Sequence, residues 1–245
     1  KKCIEGISFE TKPGKTTAII GSTGSGKSTI INLIPRFYDA TEGNITLDGV
    51  DIKKIKVKDL RDQIGFVPQK ANLFKGNIKD NIRFGKKDAT DEEINKALEV
   101  AQAEHFISKL PDGLDTFVSQ GGKNFSGGQK QRLCIARALV KKPEIYVFDD
   151  SFSALDFKTD ARLRYALSNY IGDSSVIVVA QRISSILTAD TIVVLNDGKM
   201  VGKGTHEELL KSCPVYQDIV KSQLDEDEIN KTLKMNKEVA LGGNK

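Results

Sequence analysis

One octapeptide, Gly21-Ser22-Thr23-Gly24-Ser25-Gly26-Lys27-Ser28, constrains this chain more than any other segment. It follows an apolar run, Thr16 to Gly21, that reads as a buried strand, and it opens a helix that Pro35 must bend or end. The spacing G-x-x-x-x-G-K-[ST] between a strand and a helix has a mechanical meaning. The glycines let backbone N–H groups fold around phosphate oxygens, and the helix N-terminus adds a favourable dipole. Lys27 is placed to hold β- and γ-phosphates, and the Ser28 hydroxyl to bind Mg²⁺, with Thr29 in the same first turn. A second apolar strand, Ile145 to Phe148, ends in Asp149-Asp150. Ligands of open α/β sheets gather at the carboxyl ends of strands, so Asp149 is the expected support for Mg²⁺, directly or through water.

The rest of the chain supplies a frame for these two motifs. Ile7 to Glu10, Ile64 to Val67, Ser175 to Ala180 and Thr191 to Leu195 read as further strands, and Asn44 to Ile52 as a hairpin turning at Asp48-Gly49. From about Asn77 to Lys141 the pattern is mostly helical, with Thr90-Asp91-Glu92-Glu93 as a capping box ahead of Ile94, Ala97, Leu98 and Ala101. The order predicts a parallel-sheet core interrupted by a helical insertion. At 245 residues the chain has room for one large α/β domain, or for a core with an attached subdomain. Its net charge of +4 is spread along a Lys-rich sequence without a basic block, which argues against nucleic acid as a partner. The longest apolar stretch, Val176 to Ala180, is too short to cross a bilayer, and no signal peptide opens the chain. Cys3, Cys134 and Cys213 have no paired spacing for zinc or disulfides, which suits a reducing cytosol, and Cys134 reads as a small core residue. His105 and His206 are too few for a histidine metal site. The abrupt start at Lys1 predicts a longer polypeptide, and the rise in charge from about Leu224 predicts a flexible tail.

Asn124-Phe125-Ser126-Gly127-Gly128-Gln129-Lys130-Gln131-Arg132 resembles the signature of ABC proteins, with Phe125 where leucine is usual. The resemblance covers residues 1 to about 222. It implies an α/β fold: a P-loop NTPase (RecA-like) core with an antiparallel β subdomain and an inserted α-helical subdomain. The implied division is an ABC ATPase domain over 1–222, with core segments 1–72 and 143–222 and a helical subdomain 73–142, then a tail over 223–245. ATP and Mg²⁺ are the implied cofactors, and Gly21 through Thr29 the implied nucleotide-binding residues. Ser126, Gly127, Gly128 and Gln129 would face the γ-phosphate of ATP held by a second ATPase chain, so that two chains sandwich two nucleotides. Gln69, in Val67-Pro68-Gln69, looks like the glutamine that senses Mg²⁺ and attacking water. Asp156, in Ser153-Ala154-Leu155-Asp156, lies in a segment similar to the one that crosses the dimer interface. Leu73 to Ile82 and Leu110 to Thr116 resemble segments of ABC exporters. This implies a transmembrane domain ahead of the ATPase on one polypeptide, the ATPase at the cytoplasmic face of the membrane, and an adenine-stacking aromatic upstream of Lys1.

Two departures from that family pattern carry mechanistic weight, and a third stands beside them without bearing on the mechanism. Active members usually place Glu after the second-motif aspartate as the base for water; here Asp150 stands there. The shorter side chain withdraws the carboxylate by about 1–1.5 Å, and misplacement on that order can cost about 100-fold in rate. Gln181 occupies the position usually held by His; it can donate a hydrogen bond to a γ-phosphate but cannot become cationic. Gln120 stands where exporters commonly carry Glu. The first two weaken the chain's own site, whereas Ser126 to Gly128, which serve the partner's site, are intact. The resemblance therefore implies one half of a heterodimeric exporter, with Lys27, Gln69, Asp150 and Gln181 around a slow site. A homodimeric exporter with a slow but competent Asp base is the alternative. A soluble ABC ATPase acting on nucleic acid fits less well, because the insertion is short and lacks sustained heptads.

Overall fold

The structure is a computed structural model that describes residues 3–223; the expected tail lies outside the described residues apart from its first one. The chain forms two compact units. One comprises residues 3–66, 143–150 and 173–223, and the other residues 67–142 and 151–172.

Along the chain, β1 (Thr16–Gly21) leads through the glycine-rich loop into α1 (Lys27–Leu33), followed by the hairpin β2 (Thr46–Leu47) and β3 (Val50–Asp51), α2 (Val57–Asp62) and β4 (Ile64–Val67). The short pair β5 (Gly76–Asn77) and β6 (Phe117–Val118) brackets α3 (Ile78–Arg83), α4 (Asp91–Val100) and α5 (Glu104–Ile107). Next come α6 (Gly127–Leu139), β7 (Ile145–Asp149), α7 (Phe157–Tyr170), β8 (Ser175–Val179), β9 (Thr191–Asn196), β10 (Lys199–Gly204), α8 (His206–Ser212) and α9 (Pro214–Gln223).

The main sheet has the order β10-β9-β1-β8-β7-β4. β1 lies between β8 and β9 and is parallel to both, and β7 is parallel to β8. Register pairs Ile19 with Val179 and Asp149 with Val179, so β1, β8 and β7 finish at one edge. That edge carries the glycine-rich loop and both aspartates. Burial explains the strand sequences: all five residues of β8 are buried, and Ile19, Ile31, Val147, Ile177, Val193 and Leu195 form one apolar cluster beneath the loop. Each such side chain contributes roughly 1.5–3 kcal/mol, which offsets the conformational cost of holding a glycine-rich segment in place.

Two expectations need correction. Residues 7–10 form no strand: Ile7 and Phe9 pack sideways against the core, and only Glu5 makes an isolated bridge, to Lys199. The sheet is also mixed, because β10 runs antiparallel to β9. The chain reverses there through Asp197 (φ 46°) and Gly198 (φ 77°), the left-handed pair of a tight hairpin turn. The same chemistry turns the expected hairpin at Asp48 (φ 49°) and Gly49 (φ 80°). In the second unit α3 and α4 pack on α6, around buried Leu73, Ile78, Ile82, Ile94, Leu98 and Leu133. α4 starts with the expected capping box: Thr90 accepts from the Glu93 N–H, and the Glu93 carboxylate accepts from the Thr90 N–H. Cys134 is buried in α6, as its apolar setting predicts.

Candidate active site

In the sheet-bearing unit, the end of β1 is a place where only glycine fits. A Cβ on Gly21 would stand 2.3 Å from the Leu195 carbonyl oxygen, so the strand meets β9 backbone to backbone. The loop then turns at Gly24 (φ 80°) and Gly26 (φ 99°), conformations that disfavour any side chain. Gly26 caps α1 without a side-chain hydrogen bond, and no acidic residue occupies the first helical turn. Lys27 folds back over the loop, where its Nζ donates to the carbonyl oxygens of Gly21 at 2.7 Å and Ser22 at 2.8 Å. The Ser25 hydroxyl is buried inside the loop with no hydrogen-bond partner among the described residues. Ser22, Thr23, Gly24 and Ser28 are exposed and Thr29 is half-buried. An uncapped helix start, inturned glycines and an ammonium group together suit a polyanion.

The carboxylates stand at the end of β7, with β8 between that strand and β1. Burial pushes the Asp149 carboxyl above its ordinary range, and the Asp150 charge adds to the effect, while Lys27 opposes it. Burial lowers the Lys27 ammonium from its ordinary value, against the attraction of Asp150 and Asp149. Lys27 and both aspartates thus feel one another at the sheet edge. Asp150 is buried in the left-handed region at φ 45°, a conformation that Asp tolerates better than most residues, and its N–H donates to the Val179 carbonyl at 2.9 Å. Gln181 follows β8 two residues later on the same edge and is exposed. Among the described residues no group of three or more His, Cys, Asp or Glu is arranged to hold a metal ion. Ser28 and Asp149 offer hard oxygen donors, and a small cation there would complete its shell with phosphate oxygens and water, as Mg²⁺ commonly does.

The helical unit carries the remaining residues. Gln69 follows β4 and is exposed. Ser126 caps α6 in a reciprocal box: its hydroxyl accepts from the Gln129 N–H at 3.3 Å, and its N–H donates to Gln129 Oε1 at 2.9 Å. The two side chains thus hold the helix start open, with Gly127 exposed and a Cβ there meeting nothing within 4 Å. Gly128 is different, because a Cβ would sit 3.2 Å from the Ala154 carbonyl. Asp156 caps α7 by accepting from the Thr159 N–H at 3.0 Å, which holds its carboxyl below the ordinary range.

Polar residues with no local sequence signal complete this unit. Arg132 donates to the carbonyls of Gly128 and Gln102 and lies over the Phe106 ring. Arg137 donates to Asn81 O and Oδ1 and to Asn72 O, while the fully buried Asn81 exchanges hydrogen bonds with the Phe74 backbone. α6 is thereby tied to α3 and to the chain after Gln69. Arg132 and Gln102 are 30 residues apart in sequence, and Arg137 lies 56 and 65 residues from Asn81 and Asn72.

Known proteins resemble this chain over most of its length. Residues 4–153 match the model of the ABC transporter family. The chain is 50% identical over 223 residues to an uncharacterized ABC transporter ATP-binding protein of Mycobacterium bovis, covering 90% of this chain and 38% of that protein. It is 43% identical over 226 residues to ABC transporter B family member 21 of Arabidopsis thaliana, covering 92% of this chain and 17% of the relative. A bacterial Atm1-family ABC exporter, solved with ATP bound, superposes with a TM-score of 0.89 at 39% identity, covering 92% of this chain and 40% of that one. The chain belongs to the ABC transporter family, and its α/β fold is that of the family's P-loop ATPase. It spans well under half the length of these relatives.

Proposed function

We propose that the chain is the ATP-binding motor domain of an ABC exporter and that it holds the slower of two ATP sites in a heterodimer. The observation that carries the reading is the asymmetry between its two half-sites. The phosphate loop and the Ser126 helix start are both built without defect, whereas Asp150 and Gln181 replace the usual base and the usual cationic γ-phosphate contact. Likeness to an exporter solved with ATP, and to proteins named as ATP-binding, supports the nucleotide and the transport class.

In this mechanism the Gly21–Ser28 backbone and Lys27 hold the triphosphate, and Ser28 with Asp149 hold Mg²⁺, aided by Gln69. The cation, when bound, neutralises charge between the β- and γ-phosphates. Asp150 is the base facing water, set back by one methylene relative to Glu. Gln181 donates a neutral hydrogen bond to the γ-phosphate. Ser126, Gly127, Gly128 and Gln129 offer a helix N-terminus to the partner's ATP, with Asp156 at the shared interface. Gly127 supports this, since nothing within its own chain requires glycine there. ATP binding closes two such domains, residues 73–142 pass the movement to the transmembrane domain, and hydrolysis at the partner's site reopens them. The membrane part is assigned to a proposed remainder of the polypeptide, which would place this domain at the cytoplasmic face; among the described residues no helix is long and apolar enough to cross a membrane.

Steady-state ATPase of the chain tests the slow-site reading. Wild type is expected to turn over weakly, and Asp150→Glu with Gln181→His to raise turnover by about 10- to 100-fold at unchanged ATP affinity. Brisk wild-type turnover that Asp150→Asn abolishes would instead make Asp150 a working base and favour a homodimeric exporter.

A further inference from the structure

Gln223, the last residue of α9, reaches the segment that follows β8. Its Nε2 donates to the Gln181 carbonyl oxygen at 2.7 Å, and its Oε1 accepts from the Ile183 N–H at 2.9 Å. One carboxamide thus closes on a C=O and an N–H two residues apart, as a neighbouring strand would. The sheet itself stops short of this point: the last bond from this segment to β1 is Ala180 N–H to Ile19 O, at 3.2 Å. Gln223 therefore supplies side-chain hydrogen bonds where the ladder ends.

The arm that carries Gln223 is well anchored. In α9, Tyr216 is fully buried with its hydroxyl 2.8 Å from His206 Nδ1, and Val220 is buried beside it. Gln217 Nε2 donates to the Leu210 carbonyl at 2.8 Å, joining α9 to α8. α9 also packs against β9 and the short turn Ile183–Ser185. A helix held this firmly can fix the backbone on which Gln181 stands.

We propose that Gln223 is a positioning residue that sets the 181–183 backbone so that Gln181 meets the γ-phosphate, which makes the C-terminal helix part of the chain's discrimination between ATP and ADP. The inference rests on the proposed role of Gln181. Its chemistry is specific: the γ-phosphate is the group that ADP lacks, so loosening this segment weakens ATP binding and leaves ADP binding alone.

The test is the ratio of ADP to ATP dissociation constants, measured calorimetrically with Mg²⁺ for wild type, Gln223→Met, Gln181→Ala and the double variant. Gln223→Met keeps the side-chain length and removes both hydrogen bonds, and is expected to reduce the preference for ATP about five- to tenfold, with ADP affinity within about twofold of wild type. The double variant should match Gln181→Ala alone, because a misplaced group that is absent has no further effect. At neutral pH, Gln223→Glu keeps an acceptor for the Ile183 N–H but cannot donate to the Gln181 carbonyl, and should lose the preference as Gln223→Met does. A purely structural role would lower ATP and ADP affinity together. If Gln181→Ala lowers the ratio while Gln223→Met does not, or if the two effects add, the positioning role is overturned. If Gln181→Ala itself leaves the ratio unchanged, the proposal falls through the role of Gln181, a distinct failure.

Discussion

Asp149 carries charge where the fold makes charge costly. Burial and Asp150 hold its carboxyl above the ordinary range, with Lys27 opposing. A raised folded-state pKa means that the group's contribution to stability is full below its unfolded pKa and is lost as pH rises through the folded one. At neutral pH the ionised carboxylate therefore weakens the nucleotide-free chain, and a bound cation compensates it. Asp149→Asn should leave the nucleotide-free melting temperature unchanged or raise it by about 2–4 °C, while the added stability from MgATP disappears. Thermal unfolding with and without MgATP measures both quantities, and a marked fall in the free chain's melting temperature would contradict the account. The same sign predicts that Mg²⁺-dependent ATP binding weakens with acid as Asp149 takes up a proton.

Elements in this chain are held as much by close backbone approach as by apolar faces. At Gly85, after α3, a Cβ would stand 1.9 Å from the Arg137 carbonyl oxygen in α6, and backbone cannot yield as a flexible side chain would. Gly85 is not in the left-handed region, so conformational preference alone favours alanine there by about 0.4–1 kcal/mol. Gly85→Ala is nevertheless expected to destabilise by about 1–3 kcal/mol, because α3 must move off α6. Urea unfolding reads this, and a neutral or stabilising result would show that the contact is slack. Gly85 also marks what sequence can reveal. The phosphate loop, the Asp48-Gly49 hairpin and the Thr90 capping box were legible because their determinants lie within a few residues of one another. β10 was not: its inward positions are Met200, Gly202 and Gly204, so only one apolar side chain lines that face. A Cβ on Gly202 would meet Cys213 Sγ at 2.8 Å, so the missing side chain makes room for α8 and its C-terminal end. Gln223, Arg137 and Asn81 were hidden for a related reason, since their partners lie far along the chain and no local pattern records them.

At the scale of the whole molecule, the proposed two-chain arrangement makes opposite demands on the two half-sites. Gly127 is exposed at the start of α6, a Cβ there meets nothing, and the helix N-terminus favours an acidic side chain. Judged by its own fold, the chain should accept Gly127→Asp with stability unchanged or slightly raised, by about 0.3–1 kcal/mol. Judged as half of a sandwich, it should not, because a carboxylate would then stand where the partner's γ-phosphate must approach. The variant is therefore expected to bind ATP at its own Gly21–Ser28 loop with wild-type affinity, yet to remove nearly all turnover when built into the complete two-chain transporter. The converse change, Lys27→Ala, should remove ATP from this chain while sparing the partner's catalytic site. Measuring ATPase and nucleotide occupancy for both variants separates the roles, because a chain that hydrolyses only its own ATP without a partner would lose turnover with Lys27→Ala and keep it with Gly127→Asp. The opposite pattern requires that the helix start formed by Ser126 and Gly127 acts on ATP held by another molecule, and it assigns most of the work to the site this chain completes for its partner.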